Sequence, residues 1–420
     1  MIFSLEVRRA RSGDCLILHY GTPADPGLLL VDGGPAQVYA QFLRPRLDAL
    51  KTKRQKDGEE DVPLPIDAVM VSHIDDDHIN GILELTSELV IAKDAKKPAL
   101  VKIRSFWHNT FDDIIGNSPK ELTAAVTAHF GAAALAGEPD TEGLDQSAAM
   151  VLSSVGQGIR LRDDVRKLGL KANEAFGERL VMATAGGGVK NVGKGLSMTV
   201  LGPAKLELEA LQKEHDDFLK KQQEHKPSSL AAFTDTSVPN LSSIVVLAEV
   251  NKKRILLTGD ARGDKVLSGL ELTGAVAPGG TIDIDVLKMP HHGSARNMDR
   301  PFLDRIRAKH YVFSGNGQHG NPDRETLEML GASALAADAL IHLTYPIDEI
   351  DEERKKDWIK EQRKEIARKA KNPQANVREE WSPAAHSLAA FFAARPDMAT
   401  RVRIVPANDP HVIDLLDPLA

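Results

Sequence analysis

The stretch IDAVMVSHIDDDHINGI, residues 66–82, constrains the fold of this chain more than any other. Its first part, Ala68-Val69-Met70-Val71, is a short apolar run of the kind found in a buried strand. Directly after the run, imidazoles and carboxylates follow in the order H-x-D-x-D-H, contributed by His73, Asp75, Asp77 and His78. Adjacent aspartates repel each other unless a cation lies between them. The stretch therefore predicts a strand that ends in ligands for divalent metal ions, with zinc favoured by the donor types.

This loop resembles the H-x-H-x-D-H signature of the metallo-β-lactamase fold superfamily, with Asp75 in place of the second histidine. The variant resembles the branch that contains the nuclease-like domain of ComEC-type DNA-uptake proteins and bacterial phosphorylcholine esterases. The resemblance implies an α/β fold, the αββα four-layer sandwich of two mixed sheets with helices outside. The alternative for residues 73–78 is a solvent-exposed acidic turn whose histidines cap a helix and bind no metal.

Composition narrows the classes of partner and compartment. The net charge of −7, from 53 basic and 60 acidic residues, gives no global basic field and argues against long duplex DNA as the main partner. Cys15 is the single cysteine, so the chain has no internal disulfide and no cysteine-rich zinc site. The N-terminus lacks the pattern of a signal peptide, and no apolar run is long enough to span a bilayer. We expect a cytoplasmic protein with no membrane partner.

The first half contains further strand ends that carry polar residues. Strands are predicted at 2–8, 14–20 and 28–31, and the last ends at Asp32-Gly33-Gly34. The resemblance implies that Asp32 supports residues 73–78, which we call the metal loop. The alternative is that Asp32 is a simple turn aspartate. The strand predicted at 99–107 delivers His108, which the resemblance implies is a ligand, the alternative being a surface histidine.

The second half repeats this logic. A hairpin over 243–257 delivers Asp260, which matches the bridging carboxylate of the superfamily. The strand 282–289 is followed by His291-His292-Gly293-Ser294, which resembles the H-H-G-S element of the same branch. Because neighbours in an extended segment point to opposite sides, one histidine of the pair is expected to bind metal. Position favours His291, with His292 then facing substrate or supporting a ligand, but both stay candidates.

The resemblance implies two metal positions. His73, Asp75 and His108 would hold one ion, and Asp77, His78 and His291 the other, with Asp260 bridging them. Two such ions would activate a water, which Asp77 would also orient. Zinc is the first choice, with manganese or iron as alternatives because Asp75 makes one position harder.

The implied activity is that of a metal-dependent hydrolase, of phosphodiesterase or nuclease type. The substrate would be a phosphate-containing small molecule or single-stranded nucleic acid. His319, in a glycine-rich loop, is a candidate catalytic imidazole, and candidates for contacts to phosphate are Lys288, His292, Ser294 and Asn297. The alternatives are a lactone or amide hydrolase, and a metal-bearing interaction module without catalysis.

Domain organisation is predicted as one hydrolase domain over 1–345 with a C-terminal extension. A helical insertion is expected at about 112–193, with helices at 118–135 and 144–170 and His129 in a core position. A charged helix over 206–225 and a polar loop over 228–239 follow. Residues 346–420 are predicted to form a charged helical extension packed on the domain, whose helix at 348–371 is a candidate surface for a partner protein.

Overall fold

The computed structural model describes residues 1–55, 61–109, 146–209, 242–333, 335–336 and 338–419, with side chains throughout except at 146–155. Several predicted features lie outside the described residues: the helix 118–135 with His129, the loop 228–239 and most of the helix 206–225.

The strands of the described residues are, in chain order, β1 (Ile2–Val7), β2 (Leu16–Gly21), β3 (Pro26–Val31), β4 (Leu64–Ile66), β5 (Ala68–Met70), β6 (Val101–Ile103), β7 (Phe106–Trp107), β8 (Val189–Gly193), β9 (Leu196–Gly202), β10 (Val245–Val250), β11 (Lys253–Leu257), β12 (Ile282–Lys288), β13 (Ile306–Phe313), β14 (Leu340–Leu343), β15 (Val402–Ile404) and β16 (His411–Asp414). One sheet has the order β16-β1-β2-β3-β5-β7, and a second has the order β15-β14-β13-β12-β11-β10-β9-β8. Strands β4 and β6 pair in a small parallel sheet.

The helices of the described residues are α1 (Arg44–Arg54), α2 (Asp76–Asp94), α3 (Gln146–Leu168), α4 (Gly263–Leu272), α5 (Arg300–Arg305), α6 (Arg324–Ala332), α7 (Ile347–Lys371), α8 (Pro383–His386), α9 (Leu388–Ala393) and α10 (Pro396–Ala399). A short π-helix, Tyr39–Leu43, precedes α1. No helix in the described ranges has both the length and the apolar content needed to cross a membrane.

Three apolar cores separate the layers. The central core lies between the two sheets, where Leu18 of β2 and Val286 of β12 pack in one cluster. Because side chains alternate along a strand, Ile17 faces the other way, into a core shared with α1, α2 and α3. Leu287 likewise faces a core shared with α4, α5, α6 and α9. The predicted αββα sandwich is therefore confirmed.

Both sheets bring strand ends to one rim. Strands β3, β5 and β7 run parallel to one another, so the residues that follow them lie side by side. In the second sheet β11, β12 and β13 are also parallel, and their ends carry the second group of polar residues. Strand β2 is antiparallel to β3, with Leu16 opposite Val31, so its beginning lies at this same rim.

Helix α2 begins at Asp76, within the loop that carries the candidate ligands, and Asn80 and Gly81 lie in its second turn. Gly81 is required there by close packing: a Cβ atom would lie 2.0 Å from the carbonyl oxygen of Gly33. Asp77 and His78 therefore project from the first helical turn, where their backbone is fixed by the helix.

The C-terminal residues are part of the sandwich and not an extension packed outside it. Strand β15 pairs with β14 at the edge of one sheet, and β16 pairs with β1 at the edge of the other. The boundary predicted at residue 345 is therefore corrected, because both sheets are completed by strands beyond it. The charged helix of the prediction is present as α7.

The insertion predicted as helical includes a strand. Helix α3 confirms the second predicted helix, and it packs on α2. Strand β8, however, lies within the predicted range of 112–193 and pairs with β9 at a sheet edge. The helical part of the described residues thus ends well before residue 193.

Candidate metal centre

Asp260 lies at the rim where the strand ends of both sheets meet, among the histidines of the loops there. It follows β11 and is 2% exposed. Its Oδ1 atom lies 3.2 Å from Nε2 of His78 and 3.5 Å from Nε2 of His292. Its Oδ2 atom lies 3.8 Å from Nε2 of His73 and 3.7 Å from Nε2 of His291. Each oxygen of one carboxylate therefore faces its own pair of imidazoles.

Two aspartates of the metal loop extend these pairs. Oδ2 of Asp75 lies 3.5 Å from Nε2 of His73. Asp77 places one oxygen 3.7 Å from Nε2 of His78 and the other 3.5 Å from Nε2 of His292. We call Asp77, His78 and His292 the Oδ1 set, and His73, Asp75 and His291 the Oδ2 set, after the oxygen of Asp260 that each faces.

The chemistry of these donors fits divalent metal ions. Nε2 of His73, His78 and His292 and Oδ1 of Asp260 are buried and make no hydrogen bond. Leaving such atoms unsatisfied is costly, so they require another partner. Two donors about 2.1 Å from one tetrahedral ion lie about 3.4 Å apart, close to the N–O separations of 3.2 to 3.8 Å seen here.

The turn that carries His291 and His292 differs from the predicted extended segment. Both residues have positive φ angles, 46° and 55°, within the turn Pro290–Gly293. Such conformations are uncommon for residues with a side chain, although histidine adopts them more readily than most. As a result both imidazoles face Asp260, and the expectation that one of the pair points away is corrected. His292, not His291, lies beside Asp77 and His78.

Asp32 supports the metal loop from behind. Its carboxylate accepts hydrogen bonds from the backbone N–H and the hydroxyl of Ser72, both at 2.7 Å, and lies 2.9 Å from Nδ1 of His78. The Ser72 hydroxyl oxygen lies 3.0 Å from Nδ1 of His73. Asp32 thus supports His78 directly and His73 through Ser72, which is the buttressing role that the resemblance implied.

Asp14 is a buried member of this region that the sequence analysis missed. It precedes β2, whereas the residues predicted as ligands follow strands. Asp14, His78, Asp260 and His292 each offer a donor atom within 4.8 Å of the others. The oxygens of Asp14, however, face the Nδ1 atoms of His78 and His292, at 3.7 and 3.4 Å, and not Nε2. A Gly-Asp pair directly before an apolar strand is the sequence signal that could have found it.

Lys288 lies beneath the site, with its ammonium group buried beside two of the carboxylates of this cluster. Its ammonium group is 2.5 Å from Oδ2 of Asp14 and 3.7 Å from Oδ1 of Asp260, and it donates to the carbonyl of Gly259 at 3.1 Å. The residue is 1% exposed. The charge of Lys288 is therefore buried and paired within the protein, and its contact with substrate phosphate stays a prediction.

The charges of the site shift its pKa values strongly. Burial alone would lower the pKa of His292, but the carboxylates of Asp260 and Asp14 outweigh it and raise the pKa to about 10. The pKa of His78 is likewise raised well above its usual value, against burial, by Asp260, Asp32 and Asp77. The same imidazoles hold the pKa of Asp260 well below its usual range although burial opposes this. A metal ion would therefore have to displace protons from the histidines.

The remaining predicted residues are distributed as follows. His108 is fully buried at the end of β7, with its ring edge-on to Phe106 at 5.3 Å, and its role as a ligand stays a prediction. Asn297 donates from its amide to the backbone carbonyl of Asp260 at 3.1 Å and so supports this loop, and its contact with substrate stays a prediction. Ser294 is 6% exposed beside the histidine turn. His319 is exposed on a turn that packs against α7, and its catalytic role also stays a prediction.

Helix α3 contacts the metal loop directly. The amide of Gln157 donates to Oδ1 of Asp76 at 2.5 Å and to Oδ1 of Asn80 at 3.0 Å. Burial raises the pKa of Asp76, and the neighbouring Asp75 and Asp77 add to this. The described part of the insertion thus packs on the loop that presents the candidate ligands.

Comparison with known proteins agrees with this geometry. The family model described as the metallo-beta-lactamase superfamily matches residues 24–317. The matched range contains both donor sets and Asp260, and it ends before β14, β15 and β16. No curated protein gives a significant match to the chain.

Proposed function

Because the chain belongs to the metallo-beta-lactamase superfamily, a family of mostly metal-dependent hydrolases, we propose that it hydrolyses phosphodiesters or phosphoesters with two divalent metal ions. The observation that carries the proposal is the division of donors around Asp260, whose Oδ1 and Oδ2 atoms face separate sets. A carboxylate shared between two donor sets is suited to a pair of ions, and paired ions are the usual solution in phosphatases and nucleases.

The donor sets define what each residue would do. The Oδ1 set and the Oδ2 set would each hold one ion, with Asp260 shared between them. When bound, two divalent ions would lower the pKa of a water and neutralise charge on the oxygens of the substrate. Zinc fits the imidazoles, and the carboxylate of Asp75 also suits manganese or iron.

Two residues of the site reach solvent and would meet the substrate. The side chain of Asp77 is 23% exposed and that of His291 is 30% exposed, whereas His73 and His78 are buried. A carboxylate oxygen of Asp77 would accept a hydrogen bond from the attacking water and so orient it. His291 borders the open side, where a phosphate oxygen would approach.

The resemblance of the H-x-D-x-D-H loop and the H-H-G-S element to ComEC-type and phosphorylcholine-esterase domains supports a phosphate ester over an acyl substrate. The net charge of −7 favours a phosphate-containing small molecule or single-stranded nucleic acid over long duplex DNA.

The test is a substrate panel with protein loaded with zinc, manganese or iron(II). The panel contains a chromogenic phosphodiester, single-stranded DNA, RNA, cyclic dinucleotides, a lactone and a β-lactam, with chelator-treated protein and an Asp260→Asn variant as controls. We expect turnover of at least one phosphodiester, lost with chelator and in the variant. Faster turnover of the lactone or β-lactam would overturn the phosphoester assignment. Metal binding with no turnover of any substrate would instead favour an interaction module.

A further inference from the structure

The Nδ1 atom of His292, on the side of the ring away from Asp260, contacts a hydrogen-bonded chain of buried residues. Nδ1 of His292 lies 3.2 Å from the hydroxyl oxygen of Ser314, which itself donates to Oδ1 of Asp14. The other oxygen of Asp14 is paired with Lys288 at 2.5 Å. Ser314 and Asp14 are each 1% exposed.

The direction of these hydrogen bonds determines the tautomer of His292. An ionised carboxylate can only accept, so the Ser314 proton points to Asp14. The serine oxygen is then free to accept a hydrogen bond from the N–H at Nδ1 of His292. Once a metal ion displaces the proton on Nε2, an imidazole that keeps its proton on Nδ1 presents its lone pair at Nε2. This is the nitrogen that faces Asp260 and Asp77.

Contacts on two sides hold Asp14 in place. Lys288 fixes one oxygen, and the backbone N–H of Asp14 donates to the carbonyl of Asp77 at 3.2 Å. The preceding Gly13 allows this approach, since a Cβ atom there would lie 1.7 Å from the same carbonyl oxygen. The loop that carries Asp14 is therefore packed against the backbone of one member of the Oδ1 set while it supports another.

A similar arrangement occurs among residues that follow β3 and β5. There Ser72 donates to Asp32 and lies 3.0 Å from Nδ1 of His73. In both places a serine stands between an imidazole and a buried aspartate, and in both the imidazole presents Nε2 to Asp260. The recurrence in two loops that are far apart in sequence argues for a common purpose.

We propose that Asp14, acting through Ser314, is a positioning residue that keeps His292 ready to bind metal in the Oδ1 set. The inference rests on the proposed function, because it assumes that the donor sets hold metal. Carboxylates behind metal-binding histidines orient the ring and increase its basicity, and their loss typically costs about 10- to 100-fold in metal affinity. Asp14 itself binds no metal, because its oxygens face Nδ1, Ser314 and Lys288.

The experiment measures the two successive zinc dissociation constants of the full chain by competition with a chromophoric chelator, and the visible spectrum of the cobalt(II)-loaded protein. In Ser314→Ala we expect one constant to weaken by about 10- to 100-fold while the other is unchanged, with an altered cobalt spectrum. Ser314→Thr, which keeps a hydroxyl, should restore both. If Ser314→Ala does not fold, Asp14→Asn provides the same test and should weaken the same constant.

Ser4→Ala is the matched control. Ser4 is also buried and donates to an aspartate, Asp414, at 2.6 Å, but it lies on β1 outside the donor sets. Its loss should lower stability without changing either zinc constant. Unchanged constants in Ser314→Ala, or equal weakening of both, would overturn the inference. Wild-type protein that binds two zinc ions but hydrolyses no phosphodiester would overturn only the proposed function, and protein that binds no zinc would overturn both.

Discussion

Nδ1 of His78 lies 2.9 Å from Oδ2 of Asp32, and both residues are almost completely buried. Asp32 follows β3, and His78 lies in the first turn of α2, so the contact links two elements separated by 46 positions. The same carboxylate also binds Ser72. A single aspartate thus holds the backbone at Ser72 and orients the His78 ring so that its Nε2 atom faces Asp260.

We therefore expect Asp32→Asn to weaken zinc binding by about 10- to 100-fold, because the amide cannot serve all three of these contacts as an acceptor. Dialysis followed by metal analysis measures the effect. Asp67→Asn is the control. Asp67 also accepts hydrogen bonds from a hydroxyl and a backbone N–H, those of Tyr20 and Leu28. It lies directly before β5, however, and therefore at the opposite edge of the sheet from the candidate ligands. Equal metal content in the two variants would contradict the role of Asp32.

Asp260→Asn should abolish binding of two ions per chain. The substitution keeps the shape of the side chain but removes the charge that both donor sets share. We expect metal content to fall from about two ions to less than one. Asp285→Asn, which removes a carboxylate bound to Lys253 and Lys309 on the same sheet, should leave metal content unchanged. A variant at Asp260 that retains two ions would show that this carboxylate is not shared.

Acidification should destabilise the protein through a chain of three histidines. Nδ1 of His310 lies 3.0 Å from Nε2 of His342, and Nδ1 of His342 lies 2.8 Å from Nε2 of His411. Burial, together with the neighbouring His411, His310 and Arg403, lowers the pKa of His342 to about 3.

The unfolded chain protonates His342 near its usual pKa of 6.5, whereas the folded chain does not until about 3, so stability falls as pH drops through this window. At pH 5 the loss from this group would be about 2 kcal/mol. Urea unfolding at pH 7 and pH 5 measures it, and His342→Gln should reduce the difference, with His319→Gln as the control on an exposed histidine. An undiminished difference in His342→Gln would assign the effect to other groups.

Removal of the C-terminal strands should prevent stable folding. A chain that ends at Ala399 lacks β15 and β16, and with them the buried side chains of Val405 and Ile413 in the central core. Each such side chain contributes about 1.5 to 3 kcal/mol, and two sheet edges would also be exposed. Circular dichroism and urea unfolding measure the loss. A chain that ends at Pro418 should behave as the full chain does. If the shorter chain unfolds cooperatively with unchanged stability, residues 346–420 would be an extension packed on the domain, as the sequence predicted.

Much of the site could be predicted because its parts follow apolar strands. The runs before His73, Asp260 and His291 are readable as strands, and imidazoles and carboxylates at strand ends are informative by their chemical type alone. Asp14 could not be found in this way because β2 runs antiparallel to its neighbour, so the beginning of the strand lies at the rim. The choice between His291 and His292 could not be made from the sequence, because the extended backbone that it assumed is replaced by two left-handed residues.

The sequence by itself determined which kinds of donor are present, the order in which strands deliver them and the family to which the chain belongs, because these depend on local composition and spacing. Only the tertiary structure decided which oxygen of Asp260 each histidine faces, that Lys288 is buried under the site, and that the last strands complete both sheets. Those features depend on the directions of strands and on contacts between residues hundreds of positions apart, such as Ser314 and Asp14. Local sequence patterns cannot predict such contacts, because the contacts are stabilised by packing and charge pairing that exist only in the folded chain.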